Sequence, residues 1–176
     1  MHWNDVLTFW FEEIEPKQHW VKDLEFDQLI RDRFGDLHTA AIHGELYTWR
    51  SEPNGRLAEI IVLDQFSRNM FRDKPESFAY DGIALVLAQE AVAAGAHEQI
   101  DVEHKAFMLM PYMHSESAAI HEVAMELFQG LSNLEFEIKH KVIIDRFGRY
   151  PHRNEILGRE STADEIEFLK QPGSSF

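Results

Sequence analysis

Apolar side chains recur every three or four positions along almost the whole of this 176-residue chain. Between residues 23 and 43, for example, they fall at Phe26, Ile30, Phe34 and Leu37. This spacing places them on one face of an α-helix. No stretch alternates apolar and polar residues between hairpin turns, which is the pattern of half-buried β-strands. The sequence therefore predicts an all-α protein, whose mostly short connections make sequential helices antiparallel neighbours.

Start and stop signals divide the chain into about seven to nine helices. Gly95 and Gly148 suit C-terminal stops, and Pro75 suits a first helical position. Thr162 and Glu165 form a capping-box pattern before the last helix. The predicted helices cover approximately residues 4–11, 23–43, 56–72, 75–94, 103–110, 117–129, 133–147 and 163–170.

The chain is long enough for a single domain with a substantial core. We predict one all-helical domain over residues 1–170 and a flexible C-terminal tail over residues 171–176. The first predicted helix would be capped by Asn4 or Asp5. The segment SEPNG, at 51–55, has the composition of a turn.

The composition excludes several classes of function. Seventeen Lys and Arg stand against 31 Asp and Glu, which gives a formal net charge of −14. Such a surface repels nucleic acid and anionic membranes, so neither is expected as a partner. The chain has no cysteine, which excludes disulfides, thiolate catalysis and Cys-based metal sites. The N-terminus lacks signal-peptide features and no apolar stretch is long enough to span a bilayer, so we predict a cytoplasmic protein.

The predicted helix over 56–72 is apolar on two opposite faces, so both faces should be buried, yet one carries charges. Asp64, Arg68 and Arg72 follow at intervals of four residues, with Asn69 beside them. Asp64 and Arg68 can pair, but Arg72 and most donors of Arg68 then need other acceptors. Two interpretations follow. The cluster is either a core ion-pair network or the polar floor of a pocket for an anion.

A second polar cluster lies at 146–160, RFGRYPHRNEILGRE, where an acidic protein gathers four arginines and a histidine. A tyrosine–proline pair inside it indicates a loop. Arginine forks match carboxylates and phosphates, so Arg149, Arg153 and Asn154 are candidate ligand-binding residues. The alternative is that these side chains cap helix carbonyls and neutralise the acidic surface.

The segment PYMHSES, at 111–117, places His114 before a predicted helix, whose N-terminus favours a neutral imidazole. We treat His114 and His152 as candidate general bases and Glu116 as a possible orienting residue. His114, Glu116 and His121 lack the spacing of a metal-ligating set, so no metal site is predicted. No cofactor motif and no complete set of nucleophile, base and oxyanion donors is present, and enzyme status is left open.

Several motifs resemble a bacterial family, the domain-of-unknown-function 924 family. They are VLDQFSRNMFR, SFAYDGIAL, PYMHSE and RFGRYPHRNEILGRESTADEIEFL, in that order. The resemblance extends from about Val6 to Lys170. It implies a tetratricopeptide-repeat-like, right-handed array of antiparallel helical hairpins with degenerate repeats, and it implies no reaction. Ser67 departs from the family pattern, in which a proline is expected.

We predict that the two polar clusters and His114 line one pocket that binds a small anion, either a carboxylate or a phosphate. The arginines would hold the charge, and the asparagines would orient the ligand. The alternative is a protein–protein interaction scaffold whose polar motifs are structural. A pocket requires the polar face of 64–72 and residues 149–154 to lie within a side-chain length of each other.

Overall fold

The structure is a computed structural model, and it describes residues 1–175. These residues form helices and turns and contain no β-strand, which confirms the all-α prediction. The helices are α1 (Trp3–Thr8), α2 (Leu24–Ile42), α3 (Pro53–Ile61), α4 (Ser67–Met70), α5 (Asp81–Ala93), α6 (Val102–Met113), α7 (Ala118–Leu127), α8 (Leu134–Phe147) and α9 (Ala163–Leu169). No helix in this part of the chain is both long and apolar enough to cross a membrane.

A single π turn, Val62–Phe66, joins α3 to α4 without a break in the helical rod. Counted with that rod as one helix, residues 1–175 contain eight helices, within the predicted seven to nine. The tetratricopeptide-like, right-handed arrangement of these helices stays a prediction.

The first helix begins earlier than predicted. The predicted cap at Asn4 or Asp5 is wrong, because His2 caps α1 and its Nδ1 accepts from the Asn4 N–H at 3.3 Å. The Asp5 carboxylate accepts in return from the His2 N–H at 2.7 Å. This reciprocal pair satisfies donors that the helix itself leaves free. The helix then continues past its predicted end as a π turn over Phe9–Glu13.

Prolines account for the other boundary errors. Pro53 is the first residue of α3, so the predicted turn is already partly helical. Pro75 begins only a short 3₁₀ turn, and α5 starts at Asp81. Pro111 lies inside α6, which continues to Met113. Proline suits a first helical position because its missing N–H has no intrahelical acceptor there, and inside a helix it removes one hydrogen bond without always ending the helix.

The predicted end signals are confirmed. Gly95 and Gly148 follow α5 and α8 with φ values of 67° and 69°. Glycine adopts this left-handed conformation without the steric cost that a side chain brings. At the start of α9, Thr162 Oγ1 accepts from the Glu165 N–H at 3.2 Å, and the Glu165 carboxylate accepts from the Thr162 N–H at 2.8 Å.

The rod of α3, the π turn and α4 lies at the centre of the core. Its apolar side chains on both faces are fully buried, among them Leu57, Ile60, Leu63 and Phe66. The rod contacts α1, α2, α5 and α6, and the later helices contact each other in chain order, α5 with α6, α6 with α7 and α7 with α8. Because the rod is enclosed by other helices, a charge on it must be compensated by a neighbouring helix or loop.

The flexible tail predicted over 171–176 and the single domain predicted over 1–170 both stay predictions. The last residue, Phe176, lies outside the described residues. Ser174 is buried, and its Oγ donates to the Leu169 carbonyl oxygen at 3.2 Å. Part of the predicted tail is therefore hydrogen-bonded to the end of α9.

Gly55→Ala should destabilise the protein. A methyl group at residue 55, in the first turn of α3, would overlap the backbone carbonyl of Trp49. Relief of that overlap requires the backbone to move, so we expect the free energy of unfolding to fall by about 1–3 kcal/mol. Urea unfolding of the variant measures the change.

Gly35→Ala is the matched control. A methyl group there, inside α2, meets no atom within 4 Å. It should raise the free energy of unfolding by about 0.5–1 kcal/mol, since alanine loses less backbone entropy in a helix than glycine does. A Gly55→Ala protein as stable as the wild type would contradict the close approach of Trp49.

Candidate functional site

Asp64 lies in the π turn between α3 and α4, and its side chain is 1% exposed. Side chains of the next turn hold two carbonyl groups of this segment. Ser67 Oγ donates to the Leu63 carbonyl at 2.6 Å, and Arg68 donates to the Asp64 carbonyl at 2.8 Å. The Ser67 hydroxyl donates its only proton to the Leu63 carbonyl. In the 2.7 Å contact between Ser67 and His38, the donor is therefore His38 Nε2. Ser67, where a proline was expected, thus connects the turn to α2.

Three side chains compensate the buried Asp64 carboxylate. Arg68 lies 3.1 Å from Oδ1, His114 Nδ1 lies 2.7 Å from the same oxygen, and Gln65 donates to Oδ2. Burial alone would raise the pKa of the Asp64 carboxyl, but the Arg68 charge and the hydrogen bonds from His114 and Gln65 hold that pKa well below its usual range. Asp64 is therefore ionised at neutral pH.

His114, at the C-terminal end of α6, is neutral and has a fixed tautomer. Burial and the nearby Arg68 charge lower the pKa of the His114 imidazole, although Asp64 opposes them. An ionised carboxylate only accepts hydrogen bonds, so the ring proton lies on Nδ1 and Nε2 keeps its lone pair. The orienting residue is therefore Asp64. The predicted orienting residue, Glu116, instead contacts Arg159.

Arg68 and Arg153 converge on the carboxylate of Asp81, the first residue of α5. Arg68 donates to both carboxylate oxygens at 3.0 Å. Arg153 donates to Oδ2 at 3.1 Å and to the His114 carbonyl at 3.0 Å. Both guanidinium groups also approach the Phe78 ring, Arg153 to 4.5 Å from its centroid. The two polar clusters therefore meet, and the group that joins them is a carboxylate of the protein itself.

The other predicted arginine of the loop, Arg149, also holds an acid of the protein. It donates to both oxygens of the buried Glu165 carboxylate at 2.7 and 2.8 Å, and these bonds lower the pKa of Glu165 to about 2. Arg159 contacts both oxygens of Glu116 at 2.6 and 2.9 Å. Asn154 accepts from Arg159 Nε at 2.9 Å and so serves the loop itself. Most of this positive cluster therefore pairs with acids of the protein itself.

Three more predicted site residues lie outside this arrangement. Arg72 donates to both carboxylate oxygens of Asp27 in α2, and Asn69 donates to Oδ1 of the same residue at 2.8 Å. His152 packs against Tyr150, with ring centroids 5.7 Å apart, and burial lowers the pKa of its imidazole to about 4. Asn69 of α4 and Arg72, which follows that helix, thus contact α2, and neither hydrogen-bonds to Asp81 within residues 1–175.

A fully buried pair, His121 with Glu137, joins α7 to α8. His121 Nδ1 lies 2.6 Å from the Glu137 carboxylate, and His121 Nε2 donates to the Ser115 carbonyl at 2.8 Å. His121, one of the histidines weighed as a metal ligand, is therefore engaged by a structural contact. Within residues 1–175, no three potential ligands are grouped so that they could hold a metal ion.

A pocket of about 480 Å³ opens beside Asp81. Asp81, His114 and Arg153 supply its polar wall together with Ser115 and Glu116. The apolar side chains that line it are Pro75, Phe78, Ala79, Leu85, Pro111 and Leu157. The pocket therefore combines one arginine, two carboxylates, an imidazole and hydrocarbon walls.

The sequence analysis missed Asp27 and Asp81, the acids that Arg72, Arg68 and Arg153 contact. Each acid lies on the buried face of its helix. Asp27 comes three residues before the buried Ile30, and Asp81 comes three residues before the buried Ala84. Asp64 was identified as a charged residue on an apolar helix face. Asp27 and Asp81 show the same pattern in their own helices.

Comparisons with known proteins agree with this fold over nearly the whole chain. A family model described as "Bacterial protein of unknown function (DUF924)" matches residues 6–173. A solved structure described as a protein of unknown function from Agrobacterium tumefaciens matches with a TM-score of 0.91 at 36% sequence identity, and the match covers 96% of each chain. No curated protein matches the chain. Neither description names an activity.

Asp64→Asn should destabilise the protein strongly. The change keeps the shape of the side chain but removes the charge that compensates Arg68 in the core. Removal of one partner of a buried ion pair typically costs about 3–5 kcal/mol. Urea unfolding at pH 7 measures this loss. Glu13→Gln, which breaks the exposed pair with Arg33, is the control and should change stability little.

His38→Gln should reduce the sensitivity of the protein to acid. Burial lowers the pKa of His38 from 6.5 to about 4, so the folded state favours the neutral ring. The stability linked to this group is complete above pH 6.5 and is lost as the pH falls from 6.5 towards 4. Glutamine can still donate to Ser67 but cannot titrate. Unfolding free energies at pH 7 and pH 5 should differ less in the variant, and an equal difference in both proteins would contradict this role.

Proposed function

Since this chain belongs to the family of bacterial proteins of unknown function DUF924, we propose its function from the pocket beside Asp81. The protein binds a small organic molecule that carries a carboxylate or a phosphate. The polar wall formed by Arg153 and His114 receives the charged group, and the hydrocarbon walls receive the rest of the molecule. Asp64 and Arg68 support that wall from the core.

The burial of Arg153 is the observation that carries this proposal. Its side chain is 7% exposed, and its Nε makes no hydrogen bond within residues 1–175. Burial and repulsion from Arg68 lower the pKa of the Arg153 guanidinium, so the fold holds this charge at a cost in stability. An anion in the pocket would offset that cost, because a guanidinium forms its strongest hydrogen bonds with carboxylates and phosphates.

His114 adds a requirement on the ligand. Its Nε2 has a lone pair and makes no hydrogen bond within the described residues, so it suits a ligand hydroxyl or amine that donates. The apolar walls, Phe78 and Leu85 among them, suit a hydrocarbon portion next to the charged group. The best ligand is therefore an anion with a short apolar part and a hydrogen-bond donor.

We propose binding and leave catalysis out of the proposal. Asp64 orients His114 as it would orient a general base. However, no hydrogen bond joins His114 to the Ser115 hydroxyl within the described residues. A cytoplasmic location and the lack of a nucleic-acid partner stay predictions.

A protein-interaction scaffold is the second candidate. It is favoured by large apolar side chains that α7 and α8 expose to solvent, namely Val123, Phe136 and Val142. Under this alternative the contacts of Arg153 only hold helices together. The two functions differ in what a small anion does to the stability of the protein.

Thermal unfolding in the presence of phosphate, short-chain carboxylates and organic phosphates tests the proposal. A ligand that binds only the folded state at about 100 times its Kd adds about 2.7 kcal/mol of stability, which raises Tm by a few degrees. We expect at least one of these compounds to raise the Tm of the wild type and to leave that of Arg153→Gln unchanged.

Arg149→Gln is the matched control. Arg149 comes from the same loop and also pairs with an acid, but it lines a separate pocket with Glu165. This variant should keep the full response to the ligand. The binding proposal would be overturned if no anion raised the Tm of the wild type and Arg153→Gln only had a lower Tm. That result would favour the scaffold.

A further inference from the structure

We infer that Asp81 is an internal stand-in for the anionic group of the ligand, and that the ligand binds by displacing Asp81 from Arg68 and Arg153. This inference rests on the proposed function, because it describes how the same pocket receives its ligand. It makes Asp81 the regulator of the site, since the affinity for an anion depends on how firmly Asp81 holds the two arginines.

The pair of Arg153 with Asp81 reverses the order of burial found in other deep ion pairs of the protein, whereas the pair of Arg68 with Asp81, 21% and 18% exposed, does not. In the pair of Arg72 with Asp27, the acid is 5% exposed and the arginine 24%. The same order holds for Arg50 with Glu59 and for Arg149 with Glu165. In the pair of Arg153 with Asp81, the arginine is 7% exposed and the acid 18%. A carboxylate on the solvent side of its arginine can be exchanged for a dissolved anion while the arginine stays buried.

Asp81 also lies at the edge of the core. Ala79, Gly82 and Ile83 are exposed, Tyr80 is half-buried against the core, and the first fully buried residue of α5 is Ala84. The residue at the N-cap position, Tyr80, forms no side-chain capping hydrogen bond. Displacement of the Asp81 side chain would therefore break its hydrogen bonds with Arg68 and Arg153.

The charge balance favours exchange over simple addition of an anion. Arg68, Arg153 and Arg159 face Asp64, Asp81 and Glu116, and His114 is neutral, so these charges are balanced when the pocket is empty. An added anion would leave an excess negative charge in a partly buried site, which is costly. Exchange with Asp81 keeps both arginines paired and releases the displaced carboxylate towards water.

Asp81→Asn tests the inference, because asparagine keeps the shape of the side chain and removes the competing charge. Calorimetric titration of both proteins with inorganic phosphate, and with hexanoate as a carboxylate, gives the Kd at fixed ionic strength. When the competent state is populated to 10% or less, removal of the competitor tightens binding by about tenfold or more. We therefore expect the Kd of Asp81→Asn to fall by at least about tenfold.

Asp27→Asn is the control, since it removes the acid from another buried arginine, Arg72, away from the pocket. A similar fall in the Kd of Asp27→Asn for these anions would mean that any unpaired arginine attracts anions. That result would overturn the inference. Equal or weaker binding by Asp81→Asn, with binding by the wild type, would overturn the inference and keep the proposed function. Binding by Asp81→Asn alone would support the inference, and binding by neither protein would overturn both proposals.

Amide hydrogen exchange of the wild-type protein is a second test, and it needs no substituted protein. With a saturating anion, the amides of residues 78–84 should exchange faster, because Asp81 has left its arginines. The amides of residues 114–116, which line the pocket, should exchange more slowly. Unchanged or slower exchange over residues 78–84 would overturn the displacement of Asp81.

Discussion

The buried carboxylate of Asp64 is the interaction on which the arrangement of the site depends. A carboxylate at the centre of the core cannot remain ionised unless cations and hydrogen-bond donors surround it. Arg68 and His114 meet this requirement, and each is then fixed in place. Arg68 in turn draws in Asp81, and Asp81 draws in Arg153. One buried charge thus links the central rod to α5, to the end of α6 and to the loop after α8.

The same principle explains why an acidic protein gathers arginines in one loop. Its arginines do not form a single anion-binding patch, because Arg149, Arg153 and Arg159 each reach an acid from a different part of the chain. Arg149 and Arg159 each hold both oxygens of a carboxylate at once, so these two contacts fix orientation as well as distance. The arginines of the loop therefore bind acids of the protein itself, and Arg153 is the one among Arg149, Arg153 and Arg159 that lines the pocket beside Asp81.

The candidate site was predictable as a set of residue types but not as a set of partners. The charges on the apolar face of the central rod identified Asp64 and Arg68, and the loop composition identified Arg153. Neither observation separated Arg72, which contacts α2, from Arg68, which contacts α5. The two arginines are four residues apart, but α4 ends at Met70, so Arg72 leaves the helix and meets a different neighbour.

The sequence by itself determined the helical class, the stops at Gly95 and Gly148, and the requirement that Asp64 be compensated. These follow from local periodicity, from backbone conformations that glycine alone adopts easily and from the cost of a buried charge. Only the tertiary structure decided that Asp81 occupies the arginine pair and that Asp64, in place of Glu116, orients His114. These partners are distant in the chain, from 13 to 72 residues apart, and their contacts arise from packing that no local pattern encodes.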